Sequence, residues 1–233
     1  MRFSSISLGA FLFALAISGW APPADAGIVS FFTPAGATTG GQTVSAKATF
    51  TTSADTVVVL LENLEADPTS VVQNLSGLQF TISTGQNSGS ITTSAGLDRT
   101  IAKAGTYVDG AVGDTGWDLS TAGSDLFLNV LGTKIGPAHL IIGPPGGPTY
   151  ANANGSIAGN GPHNPFLAES ATFTLKVTGV TAASSISAVT FAYGTTEGAN
   201  LVTGIVPEPN TLALAAVGLL GLALAGRRRV RRC

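Results

Sequence analysis

Three aspartates flank a tryptophan in the stretch DGAVGDTGWD, and Asp109, Asp114 and Asp118 are the hard oxygen ligands that a calcium ion takes. Their spacing matches neither the EF-hand loop nor the Gly-Gly-x-Gly-x-Asp repeat, so a polar turn around a partly buried Trp117 is the better reading. Glu62, Glu65 and Asp67 offer the carboxylate pair of a glycoside hydrolase, but such a pair is defined by its separation across a scissile bond, which sequence spacing does not supply. Between Gly143 and Pro165 lies a run rich in Gly, Pro and Asn. There Tyr150 could stack on the C–H face of a sugar ring while Asn152, Asn154, Asn160, His163 and Asn164 bond its hydroxyls. A solvated loop using Asn and Gly for left-handed turns explains the same composition and is preferred.

No Gly-x-Ser-x-Gly elbow, His-Glu-x-x-His pair or phosphate loop is present. A single cysteine, Cys233, excludes an intramolecular disulfide framework, and two isolated histidines make poor zinc ligands. The chain therefore reads as non-enzymatic, with no cofactor. Asn74-Leu75-Ser76 and Asn154-Gly155-Ser156 are formal glycosylation sequons, read here as unmodified asparagines.

The more informative residues lie toward the two ends. Arg2 precedes an apolar run from Leu8 to Ile17, and Ala24-Asp25-Ala26 forms an A-x-A site before Gly27. This is the pattern of a secretory signal peptide, and it implies Sec-type export machinery and signal peptidase as partners. Residues 211–226 are sixteen without a charge, about 24 Å of helix at ~1.5 Å per residue. Arg227, Arg228, Arg229, Arg231 and Arg232 follow directly. Carrying each arginine to the bilayer centre costs about 3 kcal/mol, so the cluster stays inside and the apolar stretch is read as a stop-transfer helix in the inner membrane.

Immediately before that stretch stands Pro207-Glu208-Pro209, where two prolines impose an extended, helix-resistant backbone. The order Val-Pro-Glu-Pro-Asn, apolar helix, arginine cluster resembles the PEP-CTERM sorting signal of exported bacterial proteins, over Val206 to about Arg232. The resemblance implies processing by an exosortase, an integral membrane cysteine protease or transpeptidase, at or near Pro207-Glu208-Pro209. It further implies a destination at the cell surface or in an exopolysaccharide matrix.

These signals divide the chain into a signal peptide (1–26), an exported domain (27–205) and a sorting signal (206–233). Between Gly27 and Val206 there are five basic and eleven acidic residues, and the whole chain carries −2, so no basic face exists to neutralise a nucleic-acid backbone. Alternating runs at 44–50, 78–83 and 172–177 predict half-buried antiparallel strands. Continuous apolar runs at 57–61, 126–131, 139–142 and 186–193 predict strands covered on both faces. Eight to ten short strands without an amphipathic helix imply an all-β ectodomain, an antiparallel β-sandwich or jelly-roll.

Overall fold

The computed structural model describes residues 27–207. The segment read as a signal peptide, with Ala24 and Ala26, the motif residues Glu208 and Pro209, the apolar stretch 211–226 and the arginine cluster lie outside the described residues.

The described residues form an all-β body. Its strands are β1 (Gly27–Phe32), β2 (Thr38–Thr39), β3 (Gln42–Thr43), β4 (Ala46–Ser53), β5 (Thr56–Asn63), β6 (Leu75–Ile82) and β7 (Ser90–Ile101). They continue with β8 (Tyr107–Gly113), β9 (Asp118–Ala122), β10 (Asp125–Asn129), β11 (Ile141–Ile142), β12 (Phe166–Lys176), β13 (Ile186–Tyr193) and β14 (Leu201–Thr203). Two single 3₁₀ turns, at Val71–Gln73 and Gly161–His163, are the helical elements among the described residues.

The period-two pattern produces the strands it should. In β4 the side chains of Ala46, Ala48, Phe50 and Thr52 are buried and those between them half-exposed; β5 repeats this with Val57, Val59, Leu61 and Asn63. The 57–61 run is therefore fully buried on one face only, with Val58 and Leu60 half-exposed on the other. A tight turn joins the pair, with Asp55 taking the left-handed conformation that short polar side chains tolerate.

Hydrogen bonds link twelve of the strands into one branched network, and β2 and β3 form a separate small hairpin. One limb runs β1-β4-β5-β12-β7-β8 and the other β9-β10-β6-β13-β14. The link is β11, which pairs with β12 in parallel and with β6 in antiparallel fashion. That parallel pair departs from the all-antiparallel expectation, and only Ile141–Ile142 of the 139–142 run form a strand. The branch has a local cause: Glu169, at φ 65°, sits in a β-bulge where the β12–β7 register shifts between Leu167 and Ala171. Before the bulge β12 reaches β11, and beyond it β12 runs beside β5.

The limbs face each other through aromatic side chains. Phe50 of β4 meets Phe80 of β6 at a centroid distance of 5.0 Å, and Phe31 of β1 packs edge-on against Phe50 at 6.0 Å. Trp117 packs on Phe173 of β12 at 5.2 Å, and its indole N–H donates to the His139 carbonyl at 2.9 Å. Trp117 is thus a core residue and more deeply buried than a turn reading implies.

Candidate processing site and the clusters around it

The last described residues are built into the sheet almost to the motif. β14 pairs with β13 through Leu201, Val202 and Thr203, and the Gly204 N–H donates to the Val189 carbonyl at 2.8 Å. The chain then crosses from one limb to the other. Ile205 exchanges two backbone hydrogen bonds with Phe32, the last residue of β1, each of 2.8 Å. Gly204 fits tightly here: a Cβ would stand 3.0 Å from the Phe191 ring, 3.3 Å from the Val189 carbonyl and 3.4 Å from Phe31 Cβ, so those neighbours would have to give way. Beyond the bridge Val206 and Pro207 are exposed.

Gly27 is the first residue of β1 and pairs with Thr52. A Cβ on Gly27 would stand 2.8 Å from the Ala182 carbonyl and 2.9 Å from Thr52 Oγ1, so close approach of the 182–184 backbone demands glycine. Thr52 Oγ1 donates to the Ser184 carbonyl at 3.0 Å beneath it. These residues line an open recess of about 220 Å³ whose polar side chains are hydroxyls, Thr52, Ser184 and Ser185, with no titratable group.

The richest ionic cluster surrounds Arg99 of β7, which is only 5 % exposed. Its Nε and Nη2 donate to the two carboxylate oxygens of Asp109 on β8 at 2.6 and 2.8 Å. Nη1 donates to the Tyr150 hydroxyl at 3.0 Å and to Glu169 Oε1 at 3.3 Å, while the Tyr107 ring lies 4.3 Å from the guanidinium carbon. The hydrogen bonds to Asp109 raise the Arg99 pKa against the cost of burial, and the same contact holds the Asp109 carboxyl below its usual range. Burial pushes the Tyr150 phenol up to about 12, although Arg99 pulls the other way. With all three guanidinium nitrogens engaged, this cluster fastens β7, β8, β12 and the 143–165 segment together.

The three aspartates weighed as calcium ligands each have partners of their own. Asp109 belongs to Arg99, and Asp114 accepts from the Gly116 N–H at 3.0 Å and Ser94 Oγ at 2.7 Å. Those bonds, the Gly116 contact first, hold the Asp114 pKa low. Asp118 accepts from the Leu119 N–H at 2.8 Å. Among the described residues no group of three or more His, Cys, Asp or Glu gathers as a metal would require. The stretch read as a polar turn contributes Asp109 to Gly113 to edge strand β8 and Asp118 to β9. Glu62, Glu65 and Asp67 likewise serve separate partners: Lys47 Nζ at 3.0 Å, Thr43 Oγ1 at 2.7 Å and Asn152 Nδ2 at 2.6 Å.

The 143–165 segment is irregular and mostly exposed or half-exposed, as its composition implies, but it is anchored by the buried Gly143, Tyr150, Ile157 and Ala158. Tyr150 is 1 % exposed and its hydroxyl donates to the Gly143 carbonyl at 2.8 Å, so its ring is not offered to a sugar; this corrects the expectation of a stacking residue. Ile157 is buried beside it in the core. The polar side chains turn back onto the chain: Asn154 accepts from the Ser156 N–H and hydroxyl, and His163 Nδ1 donates to the Ser156 carbonyl. Asn164 bonds both the N–H and the carbonyl of Ile101, as a neighbouring strand would. At the sequons, Asn154 is exposed, whereas Asn74 is fully buried with both amide atoms unpartnered, as are Ser76 Oγ and the Tyr193 hydroxyl.

The Arg99 cluster was not anticipated from sequence; the one available signal is that Arg99 is the single arginine between Gly27 and Val206. No curated protein matches the chain, and no solved structure does. Residues 206–229 match the family model described as the PEP-CTERM protein-sorting motif. That motif implies an exosortase as processing partner, with export and membrane-anchored sorting toward the cell surface. The chain thus carries a PEP-CTERM protein-sorting motif, beginning one residue after the bridge that closes its described β body.

Proposed function

We propose that this chain is a non-enzymatic protein of the cell surface or of an exopolysaccharide matrix. It is exported by Sec-type machinery, trimmed after Ala26, held in the inner membrane by residues 211–226 and cut by an exosortase at Pro207-Glu208-Pro209. The cut breaks one peptide C–N bond: the acyl carbon passes to water or an acceptor amine, and the released nitrogen takes a proton and leaves with the apolar stretch and its arginines. The observation that carries this reading is the motif match at 206–229, set directly behind a β body that ends in the Ile205 bridge.

The domain between the two cuts, 27–205, is read as a jelly-roll-like sandwich whose layers are the two limbs meeting at Phe50 and Phe80. Its work is adhesion or packing. Support for a non-catalytic role comes from the distribution of charge: the carboxylates of the clusters described above are tied to separate partners. Intact-mass measurement of protein extracted from the surface of producing cells tests the reading. The expected mass is that of a chain starting at Gly27 and ending within the motif, and a mass that retains Thr211 to Cys233 refutes processing.

A further inference from the structure

We infer that the Phe32–Ile205 bridge is a positioning clasp that controls how fast the sorting motif is processed. This inference rests on the reading of Pro207-Glu208-Pro209 as the processed segment. A membrane protease takes its substrate as extended backbone on both sides of the scissile bond, as strand-like recognition generally requires. Here the backbone on the amino side is already committed. Ile205 gives its N–H to the Phe32 carbonyl and accepts from the Phe32 N–H. Gly204 is hydrogen-bonded to Val189 and wedged between Phe191 and Phe31, and Leu201 to Thr203 are laddered to β13.

Between the last hydrogen-bonded residue and Glu208 stand only Val206 and Pro207, about 7 Å of extended chain at ~3.5 Å per residue. With the cut placed at Pro207-Glu208-Pro209, so short a reach holds the amino side of the scissile bond close against the sheet. Processing therefore proceeds from the state in which the bridge is open, and its rate follows the population of that state. The partner strand sharpens the point. The strand that closes the clasp is β1, and the close approach of Gly27 to the 182–184 backbone keeps it in place.

The experiment follows cleavage of the full chain in cells that carry an exosortase, by pulse-chase with mass readout of the tail. Three variants are compared with the unaltered chain. A six-residue Gly-Ser insertion between Val206 and Pro207 leaves the bridge intact and lengthens the reach; it is expected to speed cleavage about tenfold. Ile205→Pro removes the N–H given to Phe32 and is expected to speed it by a similar factor, about the worth of one backbone bond. The pair Phe32→Cys with Ile205→Cys, oxidised, is expected to slow cleavage at least about tenfold and to recover on reduction. Equal rates in the unaltered chain and the insertion variant overturn the clasp while leaving the sorting reading intact. Retention of the tail by every chain, the unaltered one included, overturns the sorting reading and the clasp with it.

Discussion

Arg99 and Asp109 face each other across the β7–β8 ladder and are joined by two hydrogen bonds, 2.6 and 2.8 Å, one to each carboxylate oxygen. The guanidinium is buried and the carboxylate only partly so, which makes the pair a fastening for an edge strand that otherwise contributes little to the core.

Arg99→Met should accordingly lower the stability of the folded domain by about 3 kcal/mol, because it strips Asp109, Glu169 and the Tyr150 hydroxyl of one shared donor. Urea unfolding monitored by tryptophan fluorescence measures the loss. A change below about 0.5 kcal/mol would mean that water replaces the guanidinium freely.

Acid should weaken the fold in a defined window. The carboxyls of Asp109, Asp114 and Asp125 all titrate below their usual range, held there chiefly by Arg99, by the Gly116 N–H and by Thr81 respectively. Because these pKa values are lower in the folded than in the unfolded chain, their contribution is complete above about pH 4 and is lost as the pH falls through the folded values. Asp125→Asn should lower the neutral plateau of a stability-against-pH curve and so flatten its acid limb, while leaving stability at the acid end nearly unchanged.

Two buried tyrosines should respond to the same substitution with opposite signs. Tyr150→Phe removes a hydroxyl that donates to Gly143 and accepts from Arg99, and should cost about 1–3 kcal/mol. Tyr193→Phe removes a buried hydroxyl with no partner and should be neutral or stabilising by up to about 1 kcal/mol. At high pH Tyr150 adds a second signature. Its folded pKa of about 12 lies above the unfolded value near 10, so its contribution is full below about pH 10 and is lost as the pH rises toward 12. Melting temperatures of the two variants at pH 7 and pH 11 test both statements.

Gly27→Val should destabilise the domain by about 1–3 kcal/mol, since the new Cβ would press on the Ala182 carbonyl and on Thr52 Oγ1. Gly147→Ala, with nothing within 4 Å of the added atom, is the matched control and should leave the unfolding midpoint unchanged.

The strands legible in the sequence are those whose side chains alternate between core and surface. β4 and β12 announce themselves because apolar residues such as Phe50 and Phe173 recur with polar ones between them, while β5 shows in the sequence as an unbroken apolar run whose one-sided burial the structure reveals. β7 and β8 do not, since most of their side chains are exposed and their sequences, SITTSAGLDRTI and YVDGAVG, lack the apolar half of the pattern. Hydrogen bonding to neighbours defines them: β8 lies on β7, and β7 on β12, some seventy positions along the chain. The 143–165 segment illustrates the same limit. Its irregularity is written in its glycines and prolines, but the burial of Tyr150 depends on Arg99 arriving from another strand. At the C-terminal side the order of motif, apolar stretch and arginines is local and readable, whereas the bridge that grips Ile205 joins residues from opposite ends of the domain.

On the export route proposed above, in which the chain crosses the membrane with its amino end first, the pairing of Phe32 with Ile205 has a temporal meaning. β1 emerges earliest, yet its last residue gains this cross-chain partner only when position 205 has followed, after nearly every other strand has been delivered. Completion of the fold is thus a report that translocation has reached the threshold of the sorting signal, and a chain stalled short of that point is left with an open seam at its oldest strand.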